Sequence, residues 1–397
     1  MYQLRNYQQG AVNAAIDFFS SVSKDRPIIV APTGSGKSII IAYIAKALRG
    51  EVLILQPSKE LLEQNYRKYD DVIKEHPELE RASIYSASVG IKEKGRITFA
   101  TIGSIYKKPE IFSTVRYVII DECHFVPPDR SSMYMQFMSK INAQVIGLTA
   151  TPYRLKTYSD PFNGQKYSKI NLLNRELPRF FNRFLHITQT SQMYAENHLS
   201  PVNYIEMSFD GSFLKFNSTG AEYSDDSMKE AMERNKIIKK IPLVLKQAYE
   251  KEQKSCLVFV RTVEEARQLA KEVPFSDFVY AETKKAERSQ IIKRFKNGDI
   301  KTLFNVAVLT VGFDYPALDT IIVARPTMSL ALFVQMVGRG IRKADGKERC
   351  ALVDMCGNLQ RFGKLEELRI EDDREYGWVL RNNKQILSGR RLDDLIS

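Results

Sequence analysis

The sequence predicts an α/β protein with two doubly wound parallel-sheet lobes and a cleft between them. Short apolar runs typical of buried strands alternate with helical segments in residues 1–155, and again in residues 241–357. In both stretches polar residues and glycines gather directly after the strands. Ligands of such sheets bind at the carboxyl ends of the strands, so this placement predicts binding sites there. At 397 residues the chain has room for two or three domains.

The chain divides into four predicted segments. They are a first lobe at 1–155, a linker or insertion at 156–240, a second lobe at 241–357 and a tail at 358–397.

The predicted linker lacks the strand–helix rhythm. Residues 158–167 are rich in Gly, Pro, Asp and Ser and predict a loop, and residues 211–227 predict a flexible segment. Residues 172–185 predict a helix in which Phe and Arg alternate. Such interleaving can bind nucleic acid, although an amphipathic helix with Phe inside and Arg outside is the interpretation we favour. Residues 228–249 predict a further helix.

Composition narrows the class of protein. The net charge of +12 and the pI of about 9.3 favour a polyanionic partner. No apolar run approaches the roughly 20 residues of a membrane span, so we expect no membrane association. The N-terminus lacks the apolar core of a signal peptide, which predicts a cytoplasmic protein, or one in the host cytoplasm if the source is viral. The spacing of Cys350 and Cys356 does not favour a zinc site.

Residues 31–38 read Ala-Pro-Thr-Gly-Ser-Gly-Lys-Ser and stand between two apolar runs. The phosphate-binding loop pattern G-x-x-x-x-G-K-[ST] fits, except that Ala31 replaces the first glycine. An ordinary glycine turn before a helix is the alternative. In the favoured interpretation Lys37 reaches the β- and γ-phosphates, and the Ser38 hydroxyl holds Mg²⁺. The remaining predicted phosphate-binding residues are Thr33, Gly34, Ser35 and Gly36.

Two adjacent carboxylates, Asp121 and Glu122, follow the apolar run at 117–120. Carboxylates at the end of a buried strand are costly unless they bind something, although a solvated strand end is the alternative. With a phosphate loop in the same lobe, we predict that Asp121 holds Mg²⁺, directly or through water. Glu122 then orients and deprotonates the attacking water. His124 is a candidate relay to another surface.

Other strand ends of the first lobe supply candidate contacts. Lys59 follows the run at 52–55, and Thr101 and Ser104 follow the run at 97–100. Small polar turns of this kind can bind phosphate oxygens. The alternative is that these polar residues are only typical of a loop.

The first helix and the end of a later strand add weaker signals. Arg5 and Gln8 precede or begin an amphipathic helix, and a glutamine amide can pair with an adenine edge. Polar residues are also common at helix starts. Thr149 and Thr151 follow the strand at 145–148 and suit a switch near the Mg²⁺ site.

The second lobe repeats the arrangement. Candidate residues after its strands are Arg261, Thr310, Gly312 and Asp314. Gln335 then begins the stretch Gln-Met-Val-Gly-Arg-Gly-Ile-Arg, predicted as a glycine-broken helix with Arg339 and Arg342 on one face. Facing the phosphate loop, both guanidinium groups neutralise charge on the transferring phosphoryl group. A solvated basic helix is the alternative.

Taken together, these motifs resemble those of superfamily 2 helicase-type motors, over residues 1–357. The residues of these motifs are similar to those of the RadD group of bacterial DNA-repair ATPases. The stretches that carry the likeness are Leu-Arg-Asn-Tyr-Gln-Gln at 4–9, Ile-Asp-Glu-Cys-His at 120–124, Gly-Leu-Thr-Ala-Thr-Pro-Tyr-Arg at 147–154, Asn-Val-Ala-Val-Leu-Thr-Val-Gly-Phe-Asp at 305–314 and Gln-Met-Val-Gly-Arg-Gly-Ile-Arg at 335–342.

The resemblance implies two RecA-like lobes, with ATP in the cleft and DNA across the top. It implies that Arg5 and Gln8 read adenine and that Thr149 and Thr151 couple hydrolysis to movement. Gln335, Arg339 and Arg342 complete the nucleotide site from across the cleft. The RadD group also carries a cysteine-rich zinc region beyond the second lobe, which this sequence does not show.

We therefore predict a nucleic-acid-dependent ATPase that uses ATP and Mg²⁺ to move along or remodel DNA, in repair or recombination. The expected partner is single-stranded or branched DNA, and RNA is possible; no protein partner is predicted. Three alternatives stay open: an ATP-latched binding protein, a restriction-type translocase subunit and an RNA helicase. The predicted nucleic-acid contacts are Lys59, Thr101, Ser104, Arg261 and Thr310.

Overall fold

The computed structural model describes residues 3–74, 81–162, 164, 166–309 and 313–389. The chain forms two compact units. The first comprises Met1–Arg154 and Asn171–Gln189, and the second comprises Leu155–Ile170 and Thr190–Ser397. The segment predicted as a linker or insertion is therefore shared between the two units.

The described helices and strands have the following bounds. The helices are α1 (Asn6–Ser20), α2 (Lys37–Ala47), α3 (Lys59–Ile73), α4 (Ile102–Ile105), α5 (Met133–Met138), α6 (Thr190–Ala195), α7 (Asp225–Arg234), α8 (Ile237–Glu250), α9 (Val263–Glu272), α10 (Lys285–Asn297), α11 (Leu330–Val337) and α12 (Asn358–Phe362). The strands are β1 (Pro27–Val30), β2 (Val52–Gln56), β3 (Ser83–Ser86), β4 (Ile91–Lys92), β5 (Ile97–Thr101), β6 (Tyr117–Ile120), β7 (Gln144–Thr149), β8 (Tyr153–Ser159), β9 (Lys166–Leu172), β10 (Arg183–Ile187), β11 (Val202–Glu206), β12 (Cys256–Phe259), β13 (Ser276–Val279), β14 (Thr302–Asn305), β15 (Thr320–Val323), β16 (Cys350–Asp354), β17 (Arg369–Asp373) and β18 (Gly377–Arg381).

The first unit is built on a sheet with the strand order β10-β1-β7-β6-β2-β5-β3-β4. Every pairing is parallel except that of β3 with β4. The central strands β1 and β2 are buried along their whole length, which is why they read as unbroken apolar runs. The structure confirms the predicted α/β architecture in this unit.

The second unit contains a fully parallel sheet with the order β11-β16-β15-β12-β14-β13. Two small ribbons stand outside the large sheets: β8 with β9, and the antiparallel pair β17 and β18. The tail from residue 358, to which the sequence assigned no structure, contributes α12 and the second ribbon.

One of the local predictions in the linker is wrong, that of a helix at residues 172–185. The loop predicted at 158–167 is confirmed in its middle: residues 160–162 and 164 belong to no helix or strand, and residues 158–159 and 166–167 are the ends of β8 and β9. Residues 172–185 contain the start of β10, not a helix, and Phe184 pairs with Ile28. Apolar residues at mixed spacing do not distinguish a short edge strand from a helix, so the partner strand decided the structure. In residues 211–227, Phe216 bridges Tyr223, and the flexibility of this segment stays a prediction. The predicted helix at 228–249 is confirmed as α7 and α8, with a break between them.

Gly147 in β7 provides a stability prediction. A Cβ at this position would lie 2.7 Å from Cys123 Sγ and 2.7 Å from Phe181 Cε1. Overpacking of this kind costs roughly 1–3 kcal/mol. We expect Gly147→Ala to lower the unfolding temperature of the chain by several degrees, measured by circular dichroism. Gly103→Ala is the control, because a Cβ there meets no atom within 4 Å. Equal melting of the two variants would contradict the packing argument.

Candidate nucleotide site and nucleic-acid interface

The loop at residues 31–36 joins β1 to α2 at the carboxyl edge of the first sheet. Gly34 and Gly36 have φ angles of 84° and 78°, a left-handed conformation that glycine adopts without strain. Gly36 also caps α2, so the positive end of that helix lies at the loop. Ala31, which departs from the motif, continues from β1 and donates its N–H to Thr149 O at 3.0 Å. This position needs no glycine, which explains the departure.

Gln8 and Tyr7 on α1 hold the loop from the side. Gln8 Nε2 donates to Ser35 O at 2.8 Å, and Tyr7 Oη donates to the same oxygen at 3.1 Å. Gln8 Oε1 accepts the N–H of Arg5 at 3.0 Å. No pattern in the sequence indicates that Gln8 contacts the loop itself. Adenine recognition by Arg5 and Gln8 stays a prediction.

Lys37 and Glu122 form an ion pair at the centre of the site. Lys37 Nζ lies 3.1 Å from Glu122 Oε1, and each side chain is only 15% exposed. Glu122 follows β6 with a φ of 45°, a left-handed conformation that is uncommon for a residue with a side chain. Such strain is typical of functional sites, and here it occurs at the predicted general base.

Asp121 is buried beside this pair. Asn65 Nδ2 donates to its Oδ2 at 2.7 Å, and the N–H of Glu122 donates to Oδ1 at 2.8 Å. Burial, reinforced by the charge of Glu122, raises the pKa of Asp121 to about 6, against the opposing effect of Lys37. Sequence reasoning missed Asn65; its only signal is a polar residue on the buried face of α3.

A chain of contacts leads from Glu122 to the predicted switch. His124 Nδ1 lies 3.4 Å from Glu122 Oε2 and 2.8 Å from Thr149 Oγ1. Thr149 Oγ1 also accepts the N–H of Thr151 at 3.0 Å. Burial lowers the pKa of His124 to about 4, so the imidazole is neutral at physiological pH. The arrangement gives the predicted switch a direct physical connection to the carboxylate.

The segment after His124 is held by an ion pair that sequence reasoning missed. Arg154 Nε lies 2.8 Å from Glu176 Oε1, and Arg154 Nη2 donates to Val126 O at 2.8 Å. These residues are far apart in sequence, so no local pattern indicates the pair.

Three of the predicted nucleic-acid contacts lie in one hydroxyl-rich cluster at the carboxyl edge of the first sheet. Thr101 Oγ1 lies 2.8 Å from Ser104 Oγ and 3.1 Å from Ser86 Oγ. Lys59 Nζ donates to Ser88 O at 2.7 Å. Sequence reasoning missed Ser86 and Ser88, because β3 was not recognised as a strand.

The predicted contacts of the second unit are placed only in part. Arg261 lies after β12, with Nε 3.5 Å from Glu265 Oε1 and Nη1 3.6 Å from Asp225 Oδ1. Thr310 and Gly312 fall outside the residues that the structure describes.

The prediction that Arg339 and Arg342 share a helix face is wrong. Helix α11 ends at Val337, and both arginines lie in the turn that follows. The glycines of this stretch end the helix before the arginines, which explains the difference. Arg339 is buried and its Nη1 donates to Phe313 O at 2.8 Å, whereas Arg342 pairs with Asp314.

Gln335 lies within α11, and Lys347 holds the turn that follows it. Lys347 Nζ donates to the carbonyl oxygens of Gly340 and Arg342 at 2.5 and 2.9 Å.

Two family models match the chain, one in each half. A model described as "Type III restriction enzyme, res subunit" matches residues 1–154, and "Helicase conserved C-terminal domain" matches residues 233–344. The chain has the two domains of superfamily 2 helicases. The predicted family is thereby confirmed, whereas the nearer likeness to the RadD group stays a prediction.

Similar proteins extend over most of this chain. The yeast "Putative ATP-dependent helicase IRC3" of Saccharomyces cerevisiae is 27% identical over 89% of the chain and 51% of its own length. A "51.5 kDa protein" of a Lactococcus phage is 27% identical over 92% of the chain and 74% of its own length. The "DNA 3'-5' translocase XPB2" of Sulfurisphaera tokodaii is 24% identical over 86% of the chain and 79% of its own length. The chain thus spans about half the length of the yeast relative.

Solved structures support the fold. A type ISP restriction-modification enzyme, LlaBIII bound to DNA, aligns with a TM-score of 0.63 at 17% identity, over 89% of this chain and 28% of its own. A putative HsdR subunit fragment from Vibrio vulnificus aligns with a TM-score of 0.63 at 20% identity, over 92% and 66%. Among the residues that the structure describes, no helix combines the length and apolar character needed to cross a bilayer.

Proposed function

We propose that this chain hydrolyses ATP and couples hydrolysis to movement along DNA or to its remodelling. The observation that carries the proposal is the Lys37–Glu122 ion pair, 3.1 Å long, beside the buried carboxylate of Asp121. A lysine for the β- and γ-phosphates, a base for water and a buried carboxylate are the parts that phosphoryl transfer needs.

ATP binding requires a rearrangement of this pair. Lys37 turns from Glu122 toward the incoming phosphates, which are a stronger attraction for an ammonium group. Glu122 is then free to accept a proton from water. Its neighbour His124, neutral and in contact with Thr149, carries the change in Glu122 toward the 149–151 loop.

Mg²⁺ fits the residues present at this site. Asp121 and Ser38 both offer oxygen atoms, the ligands that Mg²⁺ prefers, and Mg²⁺ usually takes only one or two carboxylates beside the substrate phosphates. The raised pKa of Asp121 indicates buried negative charge that nearby groups compensate only partly. When bound, Mg²⁺ would neutralise charge developing on the phosphates.

The hydroxyl cluster with Lys59 is the proposed track contact of the first unit. Hydroxyls and a lysine suit phosphate oxygens, which fix a strand without reading its sequence. The basic excess of the chain, +12, supports a polyanionic track. We favour DNA because the archaeal relative is named a DNA translocase. Arg261 and Thr310 extend these contacts in the second unit, and repair or recombination is the proposed setting.

The second unit supplies the remaining proposed parts of the nucleotide site. Arg339 and Arg342 neutralise charge on the transferring phosphoryl group, and Gln335 and Asp314 complete their surroundings. Arg5 and Gln8 recognise adenine in this proposal.

Salt dependence tests the proposed track. We expect affinity for a labelled single-stranded DNA 20-mer, measured by fluorescence anisotropy, to fall at least about tenfold between 50 and 200 mM salt, the loss that a few phosphate contacts produce. Lys59→Gln should reduce the slope. Lys94→Gln should not, because Lys94 pairs with Glu51 at 2.7 Å ahead of β2. A flat salt response would refute phosphate tracking.

A restriction-type motor subunit is the second candidate, because the model that matches residues 1–154 is named for one. Such a motor moves along duplex DNA without separating its strands. Displacement of a labelled strand from a forked duplex, with ATP present, would distinguish a helicase from it.

A further inference from the structure

The second unit contains a pocket that the proposed function does not use. Its volume is about 320 Å³, at the lower end of the roughly 300–1,000 Å³ range of small-ligand pockets. It lies beyond the carboxyl ends of β11 and β16, the edge of a parallel sheet where ligands bind. Its lining includes Phe216, Tyr223, Gln360 and Arg361.

Aromatic rings form part of the pocket wall. The rings of Phe216 and Tyr223 stack with centroids 5.9 Å apart and planes within 8° of parallel. The guanidinium of Arg361 lies 5.3 Å from the centroid of Tyr223. Arg361 is buried and its Nη1 donates to Thr327 O at 2.8 Å, so the plane of its side chain is held in place. Half-buried Phe216 offers its remaining surface to the pocket.

The electrostatics favour a neutral planar group over a phosphate in this pocket. Arg361 is the charged residue of its lining. Its charge is offset by the buried carboxylate of Asp354, whose pKa Arg361 lowers against a larger rise from burial. Gln360 is exposed at the rim and can both donate and accept hydrogen bonds. Nucleobases have these properties: a flat apolar face and a polar edge.

A basic ribbon lies in the same unit. Strands β8 and β9 bring Tyr158 and Tyr167 together, with centroids 5.8 Å apart and planes within 19°. Lys169 Nζ lies 5.8 and 5.6 Å from the centroids of these rings, and Lys156 Nζ lies 5.9 Å from that of Tyr158. Residues 155–170 carry Lys156, Lys166 and Lys169 against the single carboxylate of Asp160. Lysines interleaved with tyrosines are typical of single-strand binding surfaces.

The loop that ends in Tyr223 connects the pocket to this ribbon. Ser168 Oγ of β9 donates to Gly220 O. A Cβ at Gly220, whose φ is +68°, would lie 3.2 Å from Thr157 Cγ2 and 3.3 Å from Lys166 Cβ. The loop therefore packs directly on the ribbon, and Phe216 and Tyr223 flank the contact. Side chains alternate along a strand, so Thr157, Lys166 and Ser168 lie on the face of the ribbon that meets the loop, and Lys156 and Lys169 lie with the tyrosines on the other face. Lys166 is therefore the ribbon lysine on the side of the loop.

We propose that the pocket accepts one unstacked nucleobase of a single-stranded nucleic acid, with a flanking phosphate on Lys166, which is exposed beside the loop contact. The inference rests on the proposed function, because it assumes a nucleic-acid track. Base–aromatic stacking is tolerant of sequence, which suits a motor that must move over any sequence.

The pocket is also joined to the segment that leads to Arg339. Glu222 accepts hydrogen bonds from Thr327 Oγ1 and Met328 N, both at 2.9 Å, and Arg361 binds Thr327 O. Thr327 and Met328 directly precede the cap of α11. An occupied pocket therefore stiffens the segment from which α11 begins. The effect of single strands on ATP turnover then depends on whether the pocket is occupied.

The test compares two oligomers of equal charge, a 20-mer of thymidine and its abasic analogue. For the wild-type chain we expect the thymidine oligomer to bind roughly tenfold tighter, by fluorescence anisotropy, as one stacked base would produce. For Phe216→Ala the preference should vanish, while the abasic oligomer binds as before. The oligomer concentration for half-maximal ATP turnover should rise by the same factor. The rate without oligomer stays unchanged.

Phe275→Ala is the matched control, since Phe275 is an exposed aromatic at the amino end of β13. Phe216→Leu keeps the packing but lacks the ring, so it should lose the preference as well. If Phe216→Ala keeps the wild-type preference for the thymidine oligomer, the inference is overturned and the proposed function is unaffected. A pocket that binds a protein partner instead of a base would give this result. A wild-type chain that neither binds strands nor hydrolyses ATP overturns both.

Discussion

Glu122→Gln should lower ATP turnover by at least about 100-fold, the range in which general bases contribute. The substitution keeps the size of the side chain and retains a hydrogen-bond partner for Lys37, which lies 3.1 Å away. It removes the negative charge of the side chain and, with it, the ability to accept a proton. ATP affinity should therefore stay within a few-fold of wild type, and the loss of repulsion should lower the raised pKa of Asp121. Phosphate release and equilibrium binding of labelled ATP measure the two effects.

Glu51→Gln is the matched control for this prediction. Glu51 also pairs with a lysine, Lys94 at 2.7 Å, but it stands ahead of β2, outside the site. The ATP turnover of Glu51→Gln should equal that of the wild-type chain. If purified Glu122→Gln kept normal turnover, the assignment of the base would be wrong.

Arg339→Ala should slow hydrolysis by roughly 1,000-fold, the lower end of what an arginine supplies to a transferring phosphoryl group. ATP affinity should change little, because the charge that Arg339 offsets develops in the transition state. The structure adds a second expectation. Arg339 is buried and donates to Phe313 O, so alanine leaves that carbonyl without this donor, at a cost of roughly 1–3 kcal/mol. The unfolding temperature should fall as well.

Arg288→Ala separates these two effects. Arg288 also donates to backbone carbonyls of the second unit, those of Tyr280, Ala281 and Thr283, but it lies outside the predicted site. It should lower the unfolding temperature and leave turnover per folded molecule unchanged. A defect of Arg339→Ala confined to ATP affinity, or matched by Arg288→Ala, would contradict the proposed role.

The fold class and the phosphate loop were predictable because their signals are local. Buried central strands appear as continuous apolar runs, and the turn at Gly34 and Gly36 followed by Lys37 defines its own geometry. Edge strand β10 was not predictable in the same way, since the pairing of Phe184 with Ile28 joins residues far apart in sequence. The ribbon of β8 and β9 was not predicted, because the turn-forming residues around its tip indicate a loop.

The site was predictable where chemistry demanded particular residues and not where packing supports them. Asp121 and Glu122 stand out because adjacent carboxylates after a buried strand need a reason. Asn65, which holds Asp121, and Glu222, which fixes the start of α11, act through contacts over 50 residues or more in sequence. The positions of Arg339 and Arg342 depended on where α11 ends, and helix ends are the least certain part of a sequence-based prediction.

The central claim is that Lys37, Asp121 and Glu122 form a site that hydrolyses ATP in response to a nucleic-acid strand. Phosphate release by the purified wild-type chain, followed with ATP and Mg²⁺ before and after addition of single-stranded DNA, tests it most directly. The account predicts slow release that rises at least several-fold when the strand is added. A rate that is the same with and without the strand, or no release in either case, would contradict it.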